Sequence, residues 1–245
     1  MGGWFTLNKI LNIQHNFKII LFSLLFVLLG SLVYAQVSDS PWPMPFHDPQ
    51  HTVTSQYVGP QTNDTRLFFP LDGLINYGAI IDSEGTIYIG VGPSGTWTTN
   101  IYAITKNGSL KWNSTIGRNP NTAATPYAIA SDGTIYVKRD IVCCPPESGY
   151  ILYALNQDGT IKWFFNQSKF ISLNYFSNAT HWHPESLGIG DVNIDQTGSV
   201  YFTASKSSYT FLKPDYRLIE STNTYYLFSI NTNGTFRWMY KFPTN

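Results

Sequence analysis

A single pattern occurs three times in this chain. The stretch from Ile101 to Trp112, Ile-Tyr-Ala-Ile-Thr-Lys-Asn-Gly-Ser-Leu-Lys-Trp, returns as Leu-Tyr-Ala-Leu-Asn-Gln-Asp-Gly-Thr-Ile-Lys-Trp at 152–163. It returns again as Leu-Phe-Ser-Ile-Asn-Thr-Asn-Gly-Thr-Phe-Arg-Trp at 227–238. A second pattern precedes each copy: Ser83-Glu84-Gly85-Thr86-Ile87-Tyr88, then Ser131-Asp132-Gly133-Thr134-Ile135-Tyr136, then Gln196-Thr197-Gly198-Ser199-Val200-Tyr201. Two patterns in the same order, three times, mark one supersecondary unit repeated along the chain.

The unit reads as a β-meander. Its Glu-Gly, Asp-Gly, Asn-Gly and Thr-Gly pairs supply the positive φ that tight hairpin turns need. The flanking runs are short and rich in Ile, Val, Tyr, Thr and Phe, as strands are. Each turn joins two strands, so each unit holds four. Charged residues are only 12% and aromatics 16% of the 245 residues. An average domain carries about 25% charged residues, so Ser, Thr and Asn must supply the polar surface, which suits strands and turns better than helices. The formal net charge of +0 gives no electrostatic reason for a nucleic-acid partner.

The pattern best preserved from Tyr153 to Trp163 resembles the repeats of the PQQ-like, or quinoprotein-type, β-propeller family. The resemblance runs from about Trp42 to the end. The stretch from Trp42 through His47 and His51 to Thr52 is similar to the opening segment of many secreted propellers of this type. The resemblance implies an all-β propeller of four-stranded antiparallel blades, at about 77–117, 124–165 and 188–241. It also departs from the true quinoprotein dehydrogenases. Their motif has Asp two residues after Ala, where this chain has Thr105, Asn156 and Asn231, and each motif here is one residue short. The match is therefore to the broad repeat class, many of whose members bind no quinone. On the fourth strand, Trp112, Trp163 and Trp238 are expected to pack between blades, the alternative being an aromatic ligand platform.

Trp112 and Trp163 are 51 residues apart, and Trp163 and Trp238 are 75 apart. Two insertions account for the excess, at 166–187 and 206–223, and are expected to be loops on a binding face. Propellers have about four to eight blades, so three units leave the ring incomplete. Residues 36–76 form an opening segment in which Thr65–Pro70 resembles Ile161–Phe165 and is a candidate ring-closing strand. The expectation is a truncated gene product or partial gene model; the alternative is a ring completed by several chains.

Residues 1–35 read as a leader. Lys9 and Lys18 precede an apolar run from Ile19 to Tyr34, and Val33-Tyr34-Ala35 has the small residues of a cleavage site. A cleaved signal peptide and an uncleaved membrane anchor both remain open, and either places the rest outside the cytosol. Sequons at Asn63, Asn107, Asn113, Asn166, Asn178 and Asn233 are glycosylation candidates in a eukaryotic host.

Few residues invite chemistry. Cys143 and Cys144 are the only cysteines and are adjacent, beside Pro145 and Pro146. Outside the cytosol they can form a vicinal disulfide; the alternatives are a rigid surface loop or thiols that are free or paired with another chain. The methanol-type quinoprotein dehydrogenases carry such a disulfide beside the quinone. That resemblance makes Cys143 and Cys144 the candidate cofactor-binding residues, with PQQ and calcium as the cofactor alternative to none. Asp191, Asn193 and Asp195, followed by Gly198, have part of a calcium-loop pattern, but Phe202 stands where the closing Glu belongs. They read as one face of a strand leading into a turn. His181, His183 and Glu185 could supply metal ligands, but Pro184 favours an irregular exposed loop. No nucleophile elbow, phosphate loop, dinucleotide fingerprint or zinc-protease motif occurs.

The function expected from all this is a non-catalytic extracytoplasmic propeller acting as a protein-interaction or ligand-binding scaffold. The alternatives are a PQQ-dependent alcohol or sugar dehydrogenase, and a carbohydrate or cell-surface binder using Trp97 and Trp182.

Overall fold

The computed structural model describes residues 39–48, 52, 54, 61–64, 68–71, 73–75, 78–92, 98–118, 124–141, 149–172, 176–178, 180–183, 185–195 and 197–243. They belong to one compact unit, Ala35–Asn245. The leader, residues 65–67, Trp97, Cys143, Cys144 and His51 lie outside the described residues. Among the described residues no helix is long and apolar enough to cross a membrane.

The fold is all-β, in three antiparallel sheets. The first holds β1 (Ile80–Ile81), β2 (Ile87–Val91), β3 (Thr98–Ile104) and β4 (Leu110–Arg118), in chain order. The second holds β5 (Ala124–Ile129), β6 (Ile135–Ile141), β7 (Gly149–Leu155) and β8 (Ile161–Asn166), again in chain order. The third is larger. Its meander is β11 (Glu185–Ile194), β12 (Val200–Leu212), β13 (Arg217–Ile230) and β14 (Phe236–Lys241). Two short strands, β9 (Phe176–Ser177) and β10 (His181–His183), extend it through β12.

The two insertions are therefore not simple loops. Residues 206–223 continue the β12–β13 ladder, with pairs such as Lys206↔Thr224 and Ser208↔Thr222 out to Leu212↔Arg217. The first insertion supplies β9 and β10, and β10 pairs with the far end of β12 through His181↔Leu212 and Trp182↔Phe211. The stretch around Pro184 is correspondingly β10 followed by β11, rather than the irregular loop that Pro184 suggested. Between β8 and β9, Gln167–Lys169 form a 3-10 turn capped by the Asn166 side chain, which accepts from Ser168 N at 2.9 Å.

Alternation along each strand gives every sheet two apolar faces, and the sheets stack through them. Ile80, Tyr88, Ile101 and Ala103 of the first sheet pack on Ile129, Ile135, Val137 and Leu155 of the second. Leu152 and Phe165, on the second sheet's other face, pack on Phe202, Phe228 and Ile230 of the third. Phe202 and Phe228 stack at 5.1 Å, with Phe165 edge-on at 5.9 Å from each. The first two sheets approach so closely that a Cβ on Gly90 would sit 1.7 Å from the Ala124 carbonyl oxygen, which only glycine permits. The opening segment fastens them: Trp42 O accepts from Ile81 N of β1, and Pro43 O from Ile129 N of β5. Met44 follows into the second core, while His47 meets the Trp42 ring edge-on at 5.1 Å and Asp48 at 3.2 Å.

Candidate functional site

The meanders give the stack two unlike ends. The hairpin turns at 82–86, 105–109, 130–134, 156–160, 195–199 and 231–235 all fall at one end. The strand ends from which residues 93–97, 119–123 and 142–148, and both insertions, depart all fall at the other. These are called the turn end and the connection end below.

The turn end is built from saturated side chains. Asp82 Oδ1 accepts from Glu84 N at 2.9 Å and Thr86 N at 2.8 Å, and Oδ2 from the Tyr88 hydroxyl at 2.8 Å. Asp195 repeats this with Thr197 N at 2.8 Å, Ser199 N at 3.0 Å and the Tyr201 hydroxyl at 2.9 Å. The middle unit has Ala130 at this position. There Asp132 accepts from Thr134 N at 2.9 Å and pairs with Lys162 at 3.1 Å.

Burial works to raise the pKa of Asp132 and of Asp195. Hydrogen bonds outweigh it, from Thr134 and Lys162 in one case and from Thr197, Tyr201 and Ser199 in the other, and hold both below the usual carboxylate range. Burial, with the Asp82 carboxylate as its second cause, pushes the Tyr88 phenol well up. Burial and the charge of Asp132 do the same to Tyr136.

The tryptophans also work at this end. Trp112 of the first sheet donates its indole N–H to Gln157 O of the second sheet's turn at 2.7 Å. Trp163 of the second sheet donates to Thr232 O of the third sheet's turn at 2.8 Å. The acceptor is in both cases the carbonyl two residues before the turn glycine, and the indole packs against that glycine. A Cβ on Gly159 would come within 2.7 Å of Trp112, and one on Gly234 within 2.6 Å of Trp163. Each indole also leans on its own sheet's tyrosine, Tyr88 or Tyr136, at 5.8 Å. Among the described residues Trp238 keeps only that contact, with Tyr201 at 5.9 Å, and it is 38% exposed.

The connection end is different. Lys138 and Arg139, neighbours on β6, are 7% and 8% exposed, and such burial of cations is rare unless they are partnered. Successive strand residues face opposite ways. Lys138 reaches toward the third sheet, donating to Ile189 O at 3.1 Å and the Tyr127 hydroxyl at 3.2 Å. Arg139 lies toward the first, so close to Gly117 that a Cβ there would meet its guanidinium at 2.0 Å. Farther out, Lys206 Nζ binds Glu185 at 2.9 Å and Ser172 O at 2.9 Å, and Ser208 donates to Glu185 at 2.8 Å. The two insertions are thus fastened to each other by polar contacts as well as by strand pairing.

Of the residues singled out for metal chemistry, those described do not form a group that could hold a metal ion. Glu185 is held by Lys206 and Ser208, and His181 Nδ1 lies 2.8 Å from the Thr180 hydroxyl. The side chains of Trp182 and His183 lie outside the described residues. Asp191 and Asn193 are exposed on β11, but Asp195 has left the strand and its oxygens are taken by its own turn. Among the described residues no group of three or more His, Cys, Asp or Glu is placed to hold a metal ion.

The sequon residues Asn63, Asn107, Asn113, Asn178 and Asn233 are exposed and Asn166 is half-buried. Asn166, Asn178 and Asn233 each accept a hydrogen bond from the hydroxyl two residues on. Sequence reasoning missed the Asp82–Tyr88 and Asp195–Tyr201 pairs. Their signal is the spacing Asp-x-x-Gly-x-x-Tyr, hidden because Ala130 breaks it in the middle unit. Lys138 and Arg139 had no signal, since charge pairs on strands are usually exposed.

Compared with protein-family models and with curated proteins, the chain matches none.

Proposed function

We propose that this protein is a non-catalytic, extracytoplasmic interaction scaffold of the β-propeller type, its three meanders being successive blades of PQQ-like repeats. On this reading a protein partner is bound at the connection end. The observation that carries it is the division between the two ends. The turn end spends its polar groups on its own hairpins, as Asp82 and Asp195 do. The connection end carries every long connection and both insertions, and is stiffened from below by Lys138. Loops held on a rigid scaffold are where binding residues concentrate. The reading assigns no cofactor and no reacting group.

Lysine-reactive cross-linking of the full chain in its native surroundings tests it, because lysines mark both ends. Cross-links to a different protein through Lys169 and Lys213, with Lys106, Lys111 and Lys162 silent toward that protein, are the expected result. Cross-links through the turn-end lysines alone contradict it, as does turnover of alcohols or sugars by the purified chain with added quinone and calcium.

A further inference from the structure

The stack repeats one interface twice and then presents half of it. At each junction between sheets, a fourth-strand tryptophan donates to the carbonyl two residues before a turn glycine of the next sheet. The glycine is in the left-handed region, at φ +84° for Gly159 and +82° for Gly234, and its missing Cβ makes the seat for the indole. The third sheet carries the donor half of this interface with no taker among the described residues. Its Tyr201, Ser229 and Trp238 stand at the register of Tyr88, Ala103 and Trp112, and of Tyr136, Ala154 and Trp163. In the inner copies this face lies between sheets. Here Trp238 is 38%, Tyr240 52%, Tyr225 54% and Phe242 38% exposed. The Ser229 hydroxyl is buried beneath them with no hydrogen-bond partner among the described residues. So large an aromatic patch on a sheet face is the signature of an association surface.

The chemistry of the occupant follows from the two filled junctions. It must be a β-meander offering an Asx-Gly turn with an open carbonyl two residues before the glycine. This chain holds such a turn on its first sheet. Lys106-Asn107-Gly108 matches Gln157-Asp158-Gly159 and Thr232-Asn233-Gly234, Gly108 has φ +80°, and among the described residues no indole meets Lys106 O. The donor half and the acceptor half thus lie on the third and first of the described sheets.

We propose that the Trp238 face docks on the Lys106–Gly108 turn of a second copy of this chain, continuing the stack head to tail. Such a contact is heterologous: two copies close a ring if the rotation allows, and more copies extend it if not. This goes beyond the proposed function, which concerns the opposite end of the sheets, and neither depends on the other.

The experiment is sedimentation of the deglycosylated full chain over a range of concentrations, with Trp238→Ala, Trp238→Phe and Gly108→Ala. The wild-type chain is expected to associate with concentration. Trp238→Ala should weaken association about thirty-fold, as a central tryptophan does at an interface, and Trp238→Phe, which keeps a ring but loses the N–H, by less. Mixing Trp238→Ala with Gly108→Ala should restore pairing, because one chain keeps the turn and the other the indole. A chain that stays monomeric at every concentration overturns the proposal. So does association that Trp238→Ala leaves unchanged, or variants that fail to complement although each is folded by circular dichroism. Should Gly108→Ala not fold, the order wild type, Trp238→Phe, Trp238→Ala decides alone.

Discussion

Replacing Trp163 with alanine removes one junction of the stack and leaves the strands of both sheets intact. The indole is partly buried against Tyr136 and Gly234, and its N–H reaches Thr232 O at 2.8 Å. A tryptophan buries roughly 150–250 Å². With part of the ring open to water, about 120 Å² is lost on truncation, worth about 3 kcal/mol at ~25 cal/mol per Å². The hydrogen bond adds about 1 kcal/mol. Thr232 O is regained by water and adds nothing further. Trp163→Ala should therefore destabilise by about 4 kcal/mol, and Trp112→Ala, in the same setting, by a similar amount. In a chain of this size each kcal/mol lowers Tm by about 2–4 °C, so a fall of about 8–16 °C is expected by calorimetry. Trp238→Ala in the monomeric chain is the control: among the described residues its indole has no acceptor, so its cost should fall short of that of Trp163→Ala by at least the hydrogen bond, about 1 kcal/mol. Equal losses for Trp163→Ala and Trp238→Ala would refute the reasoning, because the turn carbonyl would then contribute nothing.

The turn glycines divide in the same way. Gly85, Gly159 and Gly234 all have φ near +80°, so alanine strains each by about 1–2 kcal/mol. Only at Gly159 and Gly234 does the new methyl strike an indole, at under 3.0 Å, whereas at Gly85 its nearest neighbour is the Lys106 Cβ at 3.2 Å. Chemical denaturation should thus rank Gly159→Ala and Gly234→Ala about 1–3 kcal/mol worse than Gly85→Ala. Asp132 and Asp195 have folded pKa values below their unfolded ones, so they stabilise the fold above the ordinary carboxylate pKa. That contribution should fade as pH falls through the folded values, and Asp195→Asn should flatten the acid limb of a Tm-against-pH curve. Tyr88 and Tyr136 are shifted upward, so their contribution is complete below the unfolded phenol pKa of about 10 and is lost as pH rises beyond it. Absorbance titration should find these phenols un-ionised until the fold opens, and Tyr88→Phe should remove part of the alkaline loss.

The sheet order was legible because it is local. The Gly-centred turns and alternating runs at 83–112 and 131–163 specify antiparallel neighbours without reference to the rest of the chain. The spacing from the second Trp to the third was legible as excess length but not as structure. Ser207-Ser208-Tyr209-Thr210-Phe211 is strand-prone and meets no turn signal before Lys213-Pro214-Asp215, so the β12–β13 hairpin simply runs on. That β10 then pairs with the far end of β12 is a contact across some thirty residues, with no marker in either segment. The tie from Trp42 and Pro43 to β1 and β5 is equally non-local and is made by backbone alone, which side-chain patterns cannot reveal. At the turn end the tryptophans could be picked out, but their acceptors could not, because a carbonyl leaves no trace in sequence. At the connection end, Lys138 and Arg139 are buried only because the sheets on either side close over β6, and that depends on the packing of all three.

Hydrogen exchange at the indole N–H groups, read residue by residue by NMR in dilute solution, tests the central claim most directly: that one tryptophan-to-turn contact joins each sheet to the next. The account predicts protected N–H groups at Trp112 and Trp163 and solvent-like exchange at Trp238. Rapid exchange at Trp112 and Trp163, or equal protection of all three in the monomer, would contradict it.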